Sequence, residues 1–144
     1  MKIAIRGRTI LLAAAIVVSG SGIARADDTL FQDMGGRDKL VKLANDTTDN
    51  FLADGRIKAT FDNSNMDRFR QKLAEQFCQV AGGPCIYTGH SMRDAHRGLH
   101  LTNADFNAVV EDLQKAMDND GIPFATQNRF LARLAPMQRD VVTR

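Results

Sequence analysis

Met92-Arg93-Asp94-Ala95-His96 puts an imidazole one helical turn after a methionine, in a region punctuated by glycine. Tyr87-Thr88-Gly89 before it and Gly98 after it bound a helix of barely two turns, Met92 to Arg97. Side chains at i and i+4 of a helix share a face, so Met92 and His96 point the same way. A neutral imidazole nitrogen is a common donor to a metal, but a histidine on a short helix is by default a surface residue. The rest of the chain decides between those readings.

The first 26 residues read as a leader. Lys2, Arg6 and Arg8 form a basic head, Ile10 to Val18 is an uninterrupted apolar run, and Ala24-Arg25-Ala26 is a cleavage signal. The run is about half of what spans a bilayer. Gly7 separates Arg6 from Arg8, so there is no twin arginine, and no cysteine near the cleavage site offers a lipid anchor. The expectation is a signal peptide over 1–26 and a periplasmic or secreted protein over 27–144, with no membrane association once the leader is removed.

The whole chain has 19 Lys+Arg against 17 Asp+Glu, a formal charge of +2. Lys2, Arg6, Arg8 and Arg25 leave with the leader, so 27–144 carries −2. Its basic character belongs to the leader, and nothing suggests a nucleic-acid surface. The remaining length makes one domain with one core. Cys78 and Cys85 lie in what is expected to be an oxidising compartment, where they either form a disulfide or remain separate thiols. Their spacing has no zinc-site character, and neither does that of His90, His96 and His100.

Everything after Phe31 reads as helix broken by glycine. Leu40, Leu43, Ala44, Thr47, Thr48 and Phe51 recur at spacings of three and four up to Asp54-Gly55. Arg56 to Phe61 reads as a tight turn, and Asn65 as the cap of a helix from Met66 to Val80 that carries Phe69, Leu73 and Phe77. Gly82-Gly83-Pro84 stops it, and Cys85 to His90 is irregular. Thr102 and Asp105 form a capping box with Asp for the usual Glu, opening a helix with Phe106, Val109, Val110, Leu113 and Met117 inward. Pro123 starts a last helix whose apolar positions are Phe124, Phe130, Leu131 and Leu134. No segment alternates with period two, so the fold class is all-α.

The order of these signals is an aromatic with Gly35-Gly36, Leu52-Ala53-Asp54, Phe61 before a loop, Gly82-Gly83-Pro84, Tyr87-Thr88-Gly89, Met92-x-x-x-His96 and Leu134-Ala135-Pro136. It resembles the group 1 truncated haemoglobins over essentially all of 27–144. The resemblance implies a truncated globin, a two-over-two helical sandwich around haem b (iron protoporphyrin IX). It implies His96 as the proximal iron ligand, with Met92 against the haem and its carbonyl accepting from the other ring nitrogen. Phe61 matches the phenylalanine that packs on the haem beside the distal pocket. Phe69, Lys72, Leu73, Phe77, Tyr87, Phe106 and Val109 complete the expected cofactor contacts, while Phe77, Val109, Met117, Leu131 and Leu134 read equally as pocket or core wall. No Cys-x-x-Cys-His is present, which excludes covalent c-type attachment.

The distal side departs from the family pattern. Relatives carry a Phe-Tyr pair where this chain has Thr47-Thr48, and glutamine or another polar group where it has Phe69 and Leu73. A strong donor to the bound gas contributes about 1.5–3 kcal/mol. Thr48 either supplies a weaker one or returns its proton to a helix carbonyl one turn earlier. Lys72 matches a position where some relatives supply an internal sixth ligand; the other reading keeps its ammonium at the haem edge.

The leading expectation is a protein that binds O2, NO or CO at a histidine-held iron, as a monomer or weak dimer. The second is a nitric oxide dioxygenase or haem redox protein, which needs an external electron donor, since no flavin or nicotinamide fingerprint is present. The third is a haem-free helical bundle.

Overall fold

The computed structural model describes residues 26–144; apart from Ala26, the leader assigned to 1–26 lies outside the described residues. In chain order the helices are α1 (Ala26–Asp33), α2 (Gly36–Ala53), α3 (Met66–Val80), α4 (Met92–Ala95), α5 (Asn103–Asn119), α6 (Phe124–Leu134) and α7 (Gln138–Val141). Single 3-10 turns occupy Lys58–Phe61 and Ala135–Met137. Among the described residues there is no strand, and no helix is long and apolar enough to cross a membrane.

The four long helices form two pairs, α2 with α3 and α5 with α6. The pairs join because α2 also lies along α5, and α6 meets α3. The apolar stripe of α2 explains its central position: Leu40, Leu43, Ala44, Thr47, Thr48 and Phe51 are all buried. Leu40, Leu43 and Ala44 join Leu30, Met34, Phe77, Cys78, Leu113, Met117 and Phe130 in the main core. A smaller core of Phe51, Ile57 and Ala108 gathers Phe61, Phe69, Leu73 and Val109 around it, and Leu73 borders both.

The helix ends follow the sequence signals. Asn65 Oδ1 accepts from Arg68 N at 2.9 Å. Thr102 Oγ1 accepts from Asp105 N at 3.2 Å while Asp105 Oδ2 accepts from Thr102 N at 2.8 Å, so aspartate completes the capping box. Each such cap satisfies amides that the helix leaves open and contributes about 1 kcal/mol. Phe124 departs from expectation, standing 71% exposed. The first turn of α6 is held instead by Gln127, whose amide donates to Asp118 Oδ1 at 2.8 Å and Ile122 O at 2.9 Å. Nor is α6 the last helix, because the chain turns again after Met137 into α7.

Cys78 and Cys85 form a disulfide, with Cα atoms 5.8 Å apart. Closing so short a loop stabilises the fold by about 2–3 kcal/mol in a chain-entropy estimate. Gly83 makes the closure possible: a Cβ there would lie 2.4 Å from the Phe31 ring and 2.8 Å from Cys78 Sγ.

Where α2 crosses α5, Asn50 Nδ2 donates to Asp112 O at 3.0 Å. The Asp112 side chain lies beneath this contact, 7% exposed, and its Oδ2 has no hydrogen-bond partner. Burial pushes its pKa up; Asp54 and Glu111 add to the rise, and Arg56 and Lys115 oppose it. Asp54 itself is held below the usual range, chiefly by hydrogen bonds from Arg56. The folded state therefore binds the Asp112 proton more tightly than the unfolded chain does. That contribution is full below the unfolded value and is lost as pH rises through the raised folded one. Asp112→Asn removes the charge and keeps the shape, so it is expected to raise Tm at pH 7 but not at about pH 3.5; calorimetry at the two pH values checks this.

Candidate functional site

Helix α4 is shorter than its sequence suggested, ending at Ala95 rather than Arg97. Ser91 caps it by accepting from Asp94 N at 3.1 Å. His96 is the C-cap, with φ −108° and ψ 5°. The Met92 carbonyl accepts from His96 N at 3.2 Å and faces His96 Nδ1 at 2.6 Å. A carbonyl can only accept, so Nδ1 carries the hydrogen and Nε2 keeps its lone pair. Half-buried His96 makes no other side-chain hydrogen bond among the described residues. His90 and His100 are exposed, as their loop positions suggested.

Among the described residues no three His, Cys, Asp or Glu side chains gather into a metal site. An ion on His96 would therefore need its remaining donors from a cofactor. The surroundings suit a flat apolar one. Phe51 stacks on Phe61 at 5.7 Å, and Phe69 meets Phe61 edge-on at 5.2 Å. Phe61, Phe69, Leu73 and Val109 pack on the smaller core, yet they stay only half-buried, as do Met92 and Phe106. A band of apolar side chains with one side uncovered is the usual lining of a cofactor cleft. These residues and the imidazole fit a haem held by one axial histidine.

Phe77 and Tyr87, two further expected contacts, have partners within the chain. Phe77 is buried in the main core, edge-on to Phe130 at 5.3 Å. Tyr87 serves its own loop: its hydroxyl donates to His90 O at 2.8 Å, and its ring lies so close over Gly89 that a Cβ there would be 2.3 Å away. That contact explains the Tyr-Thr-Gly triplet. Lys72 Nζ donates to both Glu75 oxygens at 2.9 Å and to Thr88 Oγ1. Glu75 is pulled down to about 2, first by the Lys72 bond and then, against its partial burial, by Thr88.

On α2 the Thr48 hydroxyl donates to Ala44 O at 2.7 Å, the second of the two readings open for it. Thr47 is fully buried, and its hydroxyl has no partner. Sequence reasoning missed two further features. Gln76, one turn after Leu73, donates through Nε2 to Met92 Sδ at 3.1 Å and thereby joins α3 to α4. The C-terminus closes over the same side, with Thr143 N donating to Leu101 O at 3.0 Å and Arg93 pairing with Asp140 at 2.9 Å. The first follows from reading Phe69, Leu73 and Gln76 as one helical face; the second joins segments too distant for any local signal.

The bacterial-like globin family model matches residues 29–143. A group 1 truncated haemoglobin (GlbN) of Mycolicibacterium paratuberculosis is 30% identical over 115 residues, covering 80% of this chain and 85% of the relative. One from Tetrahymena thermophila is 31% identical over 98 residues, covering 68% of this chain and 81% of the relative. The crystal structure of truncated haemoglobin from Tetrahymena pyriformis in its Fe(III) form superposes with a TM-score of 0.77 at 26% identity, covering 80% of this chain and 98% of that one. With its helical sandwich and half-buried aromatic cluster, the chain belongs to the bacterial-like globin family, among the group 1 truncated haemoglobins, haem b proteins that bind diatomic gases.

Proposed function

We propose that His96 Nε2 holds the iron of one haem b, bounded by Met92 on the proximal side and by Phe61, Phe69, Leu73, Phe106 and Val109 around the rest of the cleft. When bound, the haem supplies a ferrous centre to which O2, NO or CO coordinates. The observation that carries this reading is the 2.6 Å contact between His96 Nδ1 and the Met92 carbonyl. It fixes the tautomer, aims the ring and raises the basicity of Nε2. The apolar walls exclude water, which slows oxidation of the iron. We further read the 1–26 leader as exporting the protein, so that it meets its ligand outside the cytoplasm.

Lys72 engages Glu75 and Thr88, which favours an iron left open on its distal side over one ligated by lysine. A redox or nitric oxide dioxygenase role would require an electron donor from outside the chain. The half-buried apolar lining and the absence of a tyrosine at Thr48 favour plain gas binding over it.

His96→Ala is expected to weaken haem retention by more than the roughly 10–100-fold that losing a mere supporting partner of a metal ligand costs. Haem transfer to an acceptor apoglobin measures it, and unchanged retention with an unchanged ferrous spectrum would sink the assignment. On the distal side Thr48 makes its bond within its own helix, so Thr48→Tyr should slow O2 release about ten- to a hundredfold. Stopped-flow displacement reads the rate; a wild type that already releases O2 more slowly than the variant would refute an apolar distal pocket.

A further inference from the structure

Glu75 accepts five hydrogen bonds: two from Lys72 Nζ at 2.9 Å each, one from Thr88 N at 3.1 Å, one from Thr88 Oγ1 at 2.8 Å and a longer one from Gln71 Nε2 at 3.3 Å. This is an unusual concentration for one carboxylate at the edge of an apolar cleft, and neither haem contact nor the packing of α3 requires it. What it does require is Thr88. Residues 86–90 have no helical or ladder hydrogen bonds to hold them, yet they lead to the Ser91 cap from which α4 and His96 follow. Three anchors on α3 fix this loop in order: the disulfide holds Cys85, Gln79 Oε1 accepts from Tyr87 N at 2.7 Å, and Glu75 takes Thr88. Of these three, Glu75 is the nearest to the imidazole along the chain, ahead of the single Gln76–Met92 bond that joins α3 to α4 itself, and Lys72 supplies the cation that keeps the carboxylate in place.

We propose that Glu75 is a positioning residue for the iron: by clamping Thr88 it sets where the loop releases α4, and so the tilt and distance of the His96 ring. The proposal rests on His96 as the iron ligand. A carboxylate with several directional bonds defines a position more narrowly than apolar packing does, because each bond weakens steeply with distance and angle. Glutamine at 75 keeps the volume and one acceptor oxygen but loses the charge and the second acceptor. Valine at 88 keeps the backbone donor and removes the hydroxyl, whereas serine keeps both.

The test uses the haem-loaded mature protein and reads the iron–histidine stretching band of the ferrous, ligand-free form by resonance Raman, with Tm measured alongside. Glu75→Gln and Thr88→Val are expected to shift or broaden that band while haem stays bound, and Thr88→Ser is expected to restore it. Lys72→Met is expected to give a smaller change in the same direction. A band unchanged in Glu75→Gln and Thr88→Val, with only Tm lowered, overturns the proposal and leaves Glu75 as a plain staple. A band that persists in His96→Ala overturns the underlying ligand assignment instead, so the two failures are distinguishable. Should Glu75→Gln fail to fold, the serine rescue at Thr88 still decides, since Thr88→Val leaves Glu75 and Lys72 in place.

Discussion

The hydrogen bond from His96 Nδ1 to the Met92 carbonyl is the contact on which the site depends. It does three things at once. It selects the tautomer that leaves Nε2 basic, it fixes the ring along the helix, and it adds a second bond to a carbonyl that already accepts from His96 N. Its cost is borne by α4 itself. A helix of four residues cannot persist alone, because nucleation fixes more dihedrals than its bonds repay. The helix exists because its flanks are tied: Ser91 caps it, Gln76 holds Met92, Arg93 reaches Asp140, and the C-terminal strand of chain returns to Leu101.

One of those ties, from Gln76, comes from α3, which works on two arcs. Phe69, Leu73 and Gln76 recur at spacings of four and three and form the face toward the cleft and α4. Lys72, Glu75, Cys78 and Gln79 form the adjoining arc and hold the loop that follows the helix. The same helix thus contributes Phe69 and Leu73 to the smaller core and carries the anchors of the loop that leads to His96. The disulfide suits this plan, since it pins the first residue of the loop to the buried end of that same helix.

How much of this was legible in the sequence follows from the range of the signals. Helical periodicity and caps are local, so α3 was read to the residue and the Thr102–Asp105 box was recognised despite its aspartate. The bond from His96 to Met92 is also local, four residues long, and was accessible from spacing and the family resemblance together. Phe124 misled because the apolar pattern says which face is inward, not whether the core extends as far as the helix does. Phe77 takes the core reading that was open to it, and Tyr87 shows that an aromatic's place in the sequence does not say which part of its own loop it bonds to. The Glu75–Thr88 bond and the C-terminal closure were out of reach, because polar side chains on a helix surface carry no signature of a partner thirteen or forty residues away.

The distal side shows how a local preference can shape ligand choice. A threonine inside a helix readily returns its hydroxyl to the carbonyl one turn back, and Thr48 does so. The bond satisfies the group without help from a ligand, so nothing drives it to turn toward the cleft. Thr47 keeps a buried hydroxyl with no partner, which carries a cost of about 1–3 kcal/mol. Phe61 and Phe69 close what remains with ring surface. A gas that gains negative charge on binding benefits from a donor, whereas one that stays nearly neutral is indifferent to it. On the haem placement proposed above, a pocket built this way would narrow the difference in affinity between the two kinds of ligand and withhold the advantage that a tyrosine would give to oxygen.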